Sequence, residues 1–93
     1  MLQRRFLVFS EKERTAQLLG YPLKLSPAEY DLLYLIAYSS YIEKSELVRL
    51  LENAIAPSSI AVHIHGINQK AKKISGRQLV VHVQNGYTLY QQM

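Results

Sequence analysis

The sequence predicts an α+β domain: a small N-terminal antiparallel sheet, then three helices, then a C-terminal β-hairpin. Three observations carry that reading. Short β-rich runs broken by turn residues occupy positions 4–25. Ser26-Pro27-Ala28-Glu29 opens a helical middle section, because a capping serine, a proline at the first helical position and a glutamate two residues later satisfy the free N–H groups of a helix start. Asn85-Gly86, set between two β-rich runs near the end, is the strongest short-range hairpin signal. With 93 residues, 48% of them hydrophobic, the chain reads as one domain, 1–93, around one modest core.

Taken in order, residues 4–9 place Phe6 and Val8 on one side and Leu7 and Phe9 on the other, as a strand does. Residues 10–13 are polar and turn the chain. A second strand covers 15–19, although Ala16 and Gln17 favour it little, and a third covers 21–25 after Gly20. The first helix runs 27–39 with apolar residues around most of its circumference, which predicts burial between the sheet and the later helices. Its tyrosines are expected at the margin with their hydroxyls in water. Residues 41–42 are extended, 44–51 form a second helix with Leu47, Leu50 and Leu51 inward, and 53–57 connect onward. The runs 78–83 and 88–90 form the hairpin.

Between the second helix and the hairpin lies the stretch 58–74. Ile60, Ile64, Ile67, Ala71 and Ile74 recur at the spacing that lines a single helix face. The opposite face carries Ser58, Val62, His65, Gly66, Gln69, Lys72 and Lys73. Gly66 inside this helix costs roughly 1 kcal/mol against alanine and leaves a flat spot where another backbone can approach. Ser75-Gly76 ends the helix.

Net charge is +4 and the pI about 9.5, compatible with a polyanionic partner yet mild for a DNA-binding domain. Lys70, Lys72, Lys73 and Arg77 gather at the end of the central helix, and no acidic residue follows Glu52. No apolar run approaches the ~20 residues that span a bilayer, and the start is too short and polar for a signal peptide, so a cytoplasmic protein without membrane attachment is expected. The lack of cysteine excludes disulfides, thiolate metal sites and a catalytic cysteine. His63 and His65 stand two apart on a helix and do not face each other, so no metal site is expected even with His82. There is no glycine-rich phosphate loop and no nucleophile–base pairing, so neither an enzyme nor a cofactor is expected.

Several segments, in order, resemble the winged-helix effector domain of OmpR/PhoB-type response regulators. Residues 25–33, Leu-Ser-Pro-Ala-Glu-Tyr-Asp-Leu-Leu, resemble the family's L-T-x-x-E-(F/Y)-x-L-L opening of its first helix. Lys44-Ser45-Glu46-Leu47 resembles the start of the second helix, Val62-His63-Ile64 the V-H-I signature of the recognition helix, and Asn85-Gly86-Tyr87-Thr88-Leu89 the x-G-Y-x-L that closes the wing. The resemblance implies a winged helix-turn-helix and a DNA-binding transcription regulator of two-component type, with its third helix in the major groove and its wing at the minor groove. It also implies double-stranded DNA as partner, and RNA polymerase as a further partner at the loop before the third helix, which is short here at 53–56. A single short helix with few cations binds weakly, so a homodimer on repeated half-sites is expected. The family usually carries a receiver domain upstream, and these 93 residues contain none.

Departures fall where binding residues are expected. After V-H-I the family shows S-x-L-R-x-K, whereas this chain has His65-Gly66-Ile67-Asn68-Gln69-Lys70 and keeps only the last charge. The wing motif T-V-R-G-x-G-Y becomes Val81-His82-Val83-Gln84-Asn85-Gly86-Tyr87, so the wing arginine is replaced by Val83.

Two function classes follow. In the first, helix 58–74 and wing 79–90 read duplex DNA. Val62, His65, Gly66 and Gln69 enter the major groove, Lys70, Lys72 and Lys73 neutralise phosphates, and Gln84 and Asn85 probe the flanking backbone. His63 either packs near the sheet or touches a phosphate. Asn68 and Gln69 suit adenine and Val62 a thymine methyl. Each of these has a plainer reading, as a solvated amide or as packing against the preceding helix, and terminal lysines also follow from the helix dipole. In the second class, motivated by the missing arginines, the chain is a degenerate winged helix that binds another regulator protein, as an interaction module or anti-regulator, through residues 62–66.

Overall fold

The computed structural model describes residues 3–4 and 6–90. The N-terminal sheet has four antiparallel strands in chain order: β1 (Gln3–Arg4), β2 (Leu7–Ser10), β3 (Thr15–Leu18) and β4 (Tyr21–Leu23). The single strand expected over 4–9 is thus two, and residue 5 of that stretch lies outside the described residues. In the β2–β3 pair, Leu7 faces Leu18 and Phe9 faces Ala16, and all four are buried while Gln17 and Thr15 point to water. That period-two alternation lets the low-propensity pair Ala16-Gln17 hold a strand: tertiary burial of Ala16 outweighs local preference. Leu19 and Gly20 make the β3–β4 turn, both at positive φ (53° and 83°), as a type I′ hairpin requires.

Helix α1 (Pro27–Ser39) begins with the expected capping box: the Glu29 N–H donates to Ser26 Oγ at 3.2 Å and the Ser26 N–H donates to Glu29 Oε1 at 2.9 Å. It buries Leu32, Leu33, Ile36 and Ala37 and packs on the later elements. One expectation fails here. Tyr30 is buried rather than marginal, and it stacks on Tyr34, which stacks on Tyr38, at centroid separations of 5.9 and 6.2 Å. Phe9 of β2 meets the edges of Tyr30 and Tyr34, so aromatic packing fastens α1 to the sheet. Only Tyr38, at the end of the row, is exposed.

Ser40 (φ 68°) stops α1, and β5 (Tyr41–Glu43) leads into α2 (Lys44–Leu50). Leu47, Leu51 and Ile55 are buried, while Leu50, expected inward, is 47% exposed. A single 3-10 turn (Pro57–Ser59) then feeds α3 (Ile60–Ser75), which Gly76 ends in the left-handed conformation with its N–H on the Lys72 carbonyl. Strands β6 (Val80–Val83) and β7 (Gly86–Leu89) form the C-terminal hairpin, and β5 joins it, giving the order β5-β7-β6. The hairpin turn is Gln84-Asn85, one residue earlier than expected, because Val83 pairs with Gly86. Gly86 is a strand residue whose Cβ would collide with the Ile42 carbonyl and the Tyr41 ring, so close approach of β5, not turn geometry, demands glycine there. Both sheets and all three helices contribute to one core cluster. Among the described residues no helix is long and apolar enough to cross a membrane.

Candidate nucleic-acid interface

Helix α3 divides into a seam, a stripe and two flanks. Ile60, Ile64, Ile67 and Ala71 form the seam and are buried, with Ile74 half-buried beside them. Ala61, Val62, His65, Gln69, Lys72 and Lys73 are all exposed, and at 3.6 residues per turn they fall on the opposite side as one continuous stripe. Val62 is 68% exposed although it is a valine in a well-packed helix. No other element of the described structure covers this stripe.

The flanks fix how the stripe is held. On one side Asn68 is wholly engaged by the hairpin root: its Oδ1 accepts from the Leu79 and Val80 N–H groups at 2.8 Å each, and its Nδ2 donates to the Val80 carbonyl at 2.9 Å. Asn68 is therefore a clamp between α3 and β6, and its amide is not presented to a groove. On the other side α1 packs against α3 through Glu29. Gly66 faces this carboxylate, and a Cβ on Gly66 would collide with Glu29 Oε2. Lys70 Nζ donates to Glu29 Oε1 at 2.5 Å. Glu29, only 7% exposed, thus serves α1's own cap and an ion pair to α3 together. Burial pushes its pKa up, but the hydrogen bonds from Lys70 and Ser26 outweigh that and hold it below the ordinary value of 4.5.

These contacts correct two sequence expectations. Gly66 does not sit on the outward face; it is the flat spot that admits the Glu29 carboxylate. Lys70 is half-buried and paired inside the domain instead of free for a phosphate. His63 is half-buried on the same flank as Gly66 and Lys70, between seam and stripe. Lys72 and Lys73, in the last turn, are exposed and pair with no carboxylate of the described residues. Ser58 is exposed in the 3-10 turn before the helix.

At the hairpin tip His82, Val83, Gln84 and Asn85 are exposed, and Gln84 adopts φ 55°. The Asn85 carbonyl accepts from the Lys44 N–H at 2.8 Å, which sets the start of α2 beside the tip. Lys44 is exposed there and is a cation the sequence did not place near the wing. Nothing local signals that proximity, since it depends on β5 pairing with β7 across Ile42 and Tyr87. Among the described residues no group of three or more His, Cys, Asp or Glu side chains is arranged to hold a metal ion.

No protein-family model matches the sequence, and no curated protein matches it. Solved structures do match its fold. A chain from a streptococcal family of redox sensors evolved from two-component response regulators superposes with a TM-score of 0.80 at 21% identity, over 96% of this chain and 41% of that one. This chain therefore spans less than half the length of that neighbour. The DNA-binding domain of the response regulator AdeR, solved in complex with an intercistronic region, superposes with a TM-score of 0.79 at 14% identity, over 94% of this chain and 95% of that one. With four strands, three helices and a closing hairpin in this order, the chain has the winged-helix fold of OmpR/PhoB-type response-regulator effector domains.

Proposed function

We propose that the chain is a DNA-binding domain of a transcription regulator, reading duplex DNA with the outward stripe of α3 in the major groove and with the hairpin tip against the flanking backbone. The observation that carries this reading is the stripe itself. Among the described residues it is uncovered, it is clamped on both flanks, by Asn68 to the wing and by Glu29 to α1, and it ends in two cations that pair with no carboxylate of those residues. A rigid helix with an open face and phosphate-binding charges at one end is what groove insertion requires. The similarity to a domain solved with DNA supports it. Lys72, Lys73, Lys44 and the wing-tip amides are few contacts for one domain, so two copies on repeated half-sites are part of the proposal.

The 68% exposure of Val62 and the absence of Lys or Arg from residues 82–85 favour a second reading, a winged helix that docks on another protein. A mobility shift with random-sequence duplex separates the two. Retardation at low salt, weakening linearly with log salt, is the expected result. Replacing Lys72 and Lys73 by alanine should flatten that salt slope by about 2. Absence of retardation at low salt would favour the protein-docking reading.

A further inference from the structure

The stripe that the fold leaves open is unusual in what it lacks. Guanine offers two acceptors to the major groove, and the commonest way to read it is a bidentate Arg or Lys. In helix-turn-helix proteins residues toward the N-terminus of the recognition helix contact base edges. On α3 the exposed residues there are Ala61, Val62 and His65, and Gln69 follows one turn later on the same stripe; none of the four is a cation. Lys70, next to Gln69 in sequence, is turned into α1 by Glu29. Lys72 and Lys73 stand in the last turn of the helix, Lys72 about 15 Å along the axis from Val62 and about 4.5 Å beyond Gln69, and are assigned to phosphates.

What remains fits A·T pairs. Gln69 carries an amide with one acceptor and two donors, the complement of adenine N6 and N7, and it is exposed while its neighbour Asn68 has every amide group engaged by the Leu79–Val80 backbone. Ala61 and Val62 present methyl groups in the first turn, and thymine is the base that offers a methyl in this groove. His65 supplies a single donor that purine N7 and thymine O4 accept alike, so it does not discriminate. Building on the DNA-binding reading, we infer that α3 selects A·T-rich over G·C-rich half-sites, with Gln69 reading adenine and Val62 a thymine methyl.

Selection of binders from a randomised duplex library, at low salt and with the intact chain, tests this. Enrichment of A·T pairs at the core of each half-site is expected. Gln69→Ala should flatten the preference at one adenine position by roughly ten-fold. Gln69→Arg should move that position toward guanine. Gln69 is exposed, so both variants should fold like the parent, which circular dichroism checks. Enrichment of G·C pairs, or an unchanged preference in Gln69→Ala, overturns the inference while leaving DNA binding standing. Recovery of no duplex at all overturns both.

Discussion

Glu29 and Gly66 are coupled, although one is a helix cap in α1 and the other a helix interior in α3. Placed alone in a solvent-exposed helix, Gly66→Ala should stabilise by about 1 kcal/mol. Here the new methyl would meet a carboxylate that cannot swing aside, because the Ser26 N–H and Lys70 Nζ hold it. Gly66→Ala is therefore expected to destabilise by about 1 kcal/mol, and to become stabilising once Glu29→Ala has removed the obstacle, a coupling of about 2 kcal/mol in a double-mutant cycle read by urea unfolding. A second readout is pH. The folded carboxyl of Glu29 titrates below its ordinary 4.5, so the unfolded chain takes up the proton first as pH falls. The stability from this group is present above the unfolded value and is lost as pH drops through the folded one. Glu29→Ala should lose that part of the acid dependence. Additive single effects in the cycle would mean that the carboxylate is not held. Sequence reading placed Glu29 correctly in its capping box, which is local. Its partnership with Lys70 spans 41 residues and leaves no periodic trace, so nothing local in the sequence marks Lys70 as paired.

Among the elements, those with local signals were legible and those set by pairing were not. The bounds of α1 follow from its cap, and the buried seam of α3 follows from its period. The wing hairpin was visible, but its turn was placed one residue late, since Gly86 is required by the approach of β5 and not by the turn. The union of β5 with the wing had no sequence signal, because three extended residues do not name their partner. The β3–β4 turn carries a different mark. Leu19 sits at φ 53°, a conformation that costs a branched side chain about 1 kcal/mol and suits asparagine. Its side chain is 49% exposed, so little packing is lost on replacement. Leu19→Asn should raise the unfolding free energy by about 0.5–1 kcal/mol in thermal or urea melts. A clear loss of stability instead would show that the leucine has a packing role that its exposure conceals.

For the molecule as a whole, charge is distributed by position more than by amount. All seven carboxylates lie at or before Glu52, and the cations at and beyond Lys70 have none behind them in sequence. Folding brings one carboxylate, Glu29, back to Lys70 and leaves the last turn of α3 positive. Elsewhere Tyr34, Leu35, Leu50 and Leu51 line a shallow pocket with Asp31, and Tyr38 stacks on Tyr34, which donates to Glu11 and has its own pKa pushed up to about 12 by that bond. A DNA-reading role predicts contact at the outward stripe of α3 and the wing tip, and none at this tyrosine surface. Titration of the isotope-labelled chain with a short duplex, followed by backbone amide NMR, tests that most directly. Shifts are expected to concentrate at the outward positions of residues 61–73 and at 82–85, with the Tyr34–Tyr38 side unmoved. Shifts centred on Tyr34, Tyr38 and Leu50, or none anywhere at low salt, would contradict the DNA-reading role.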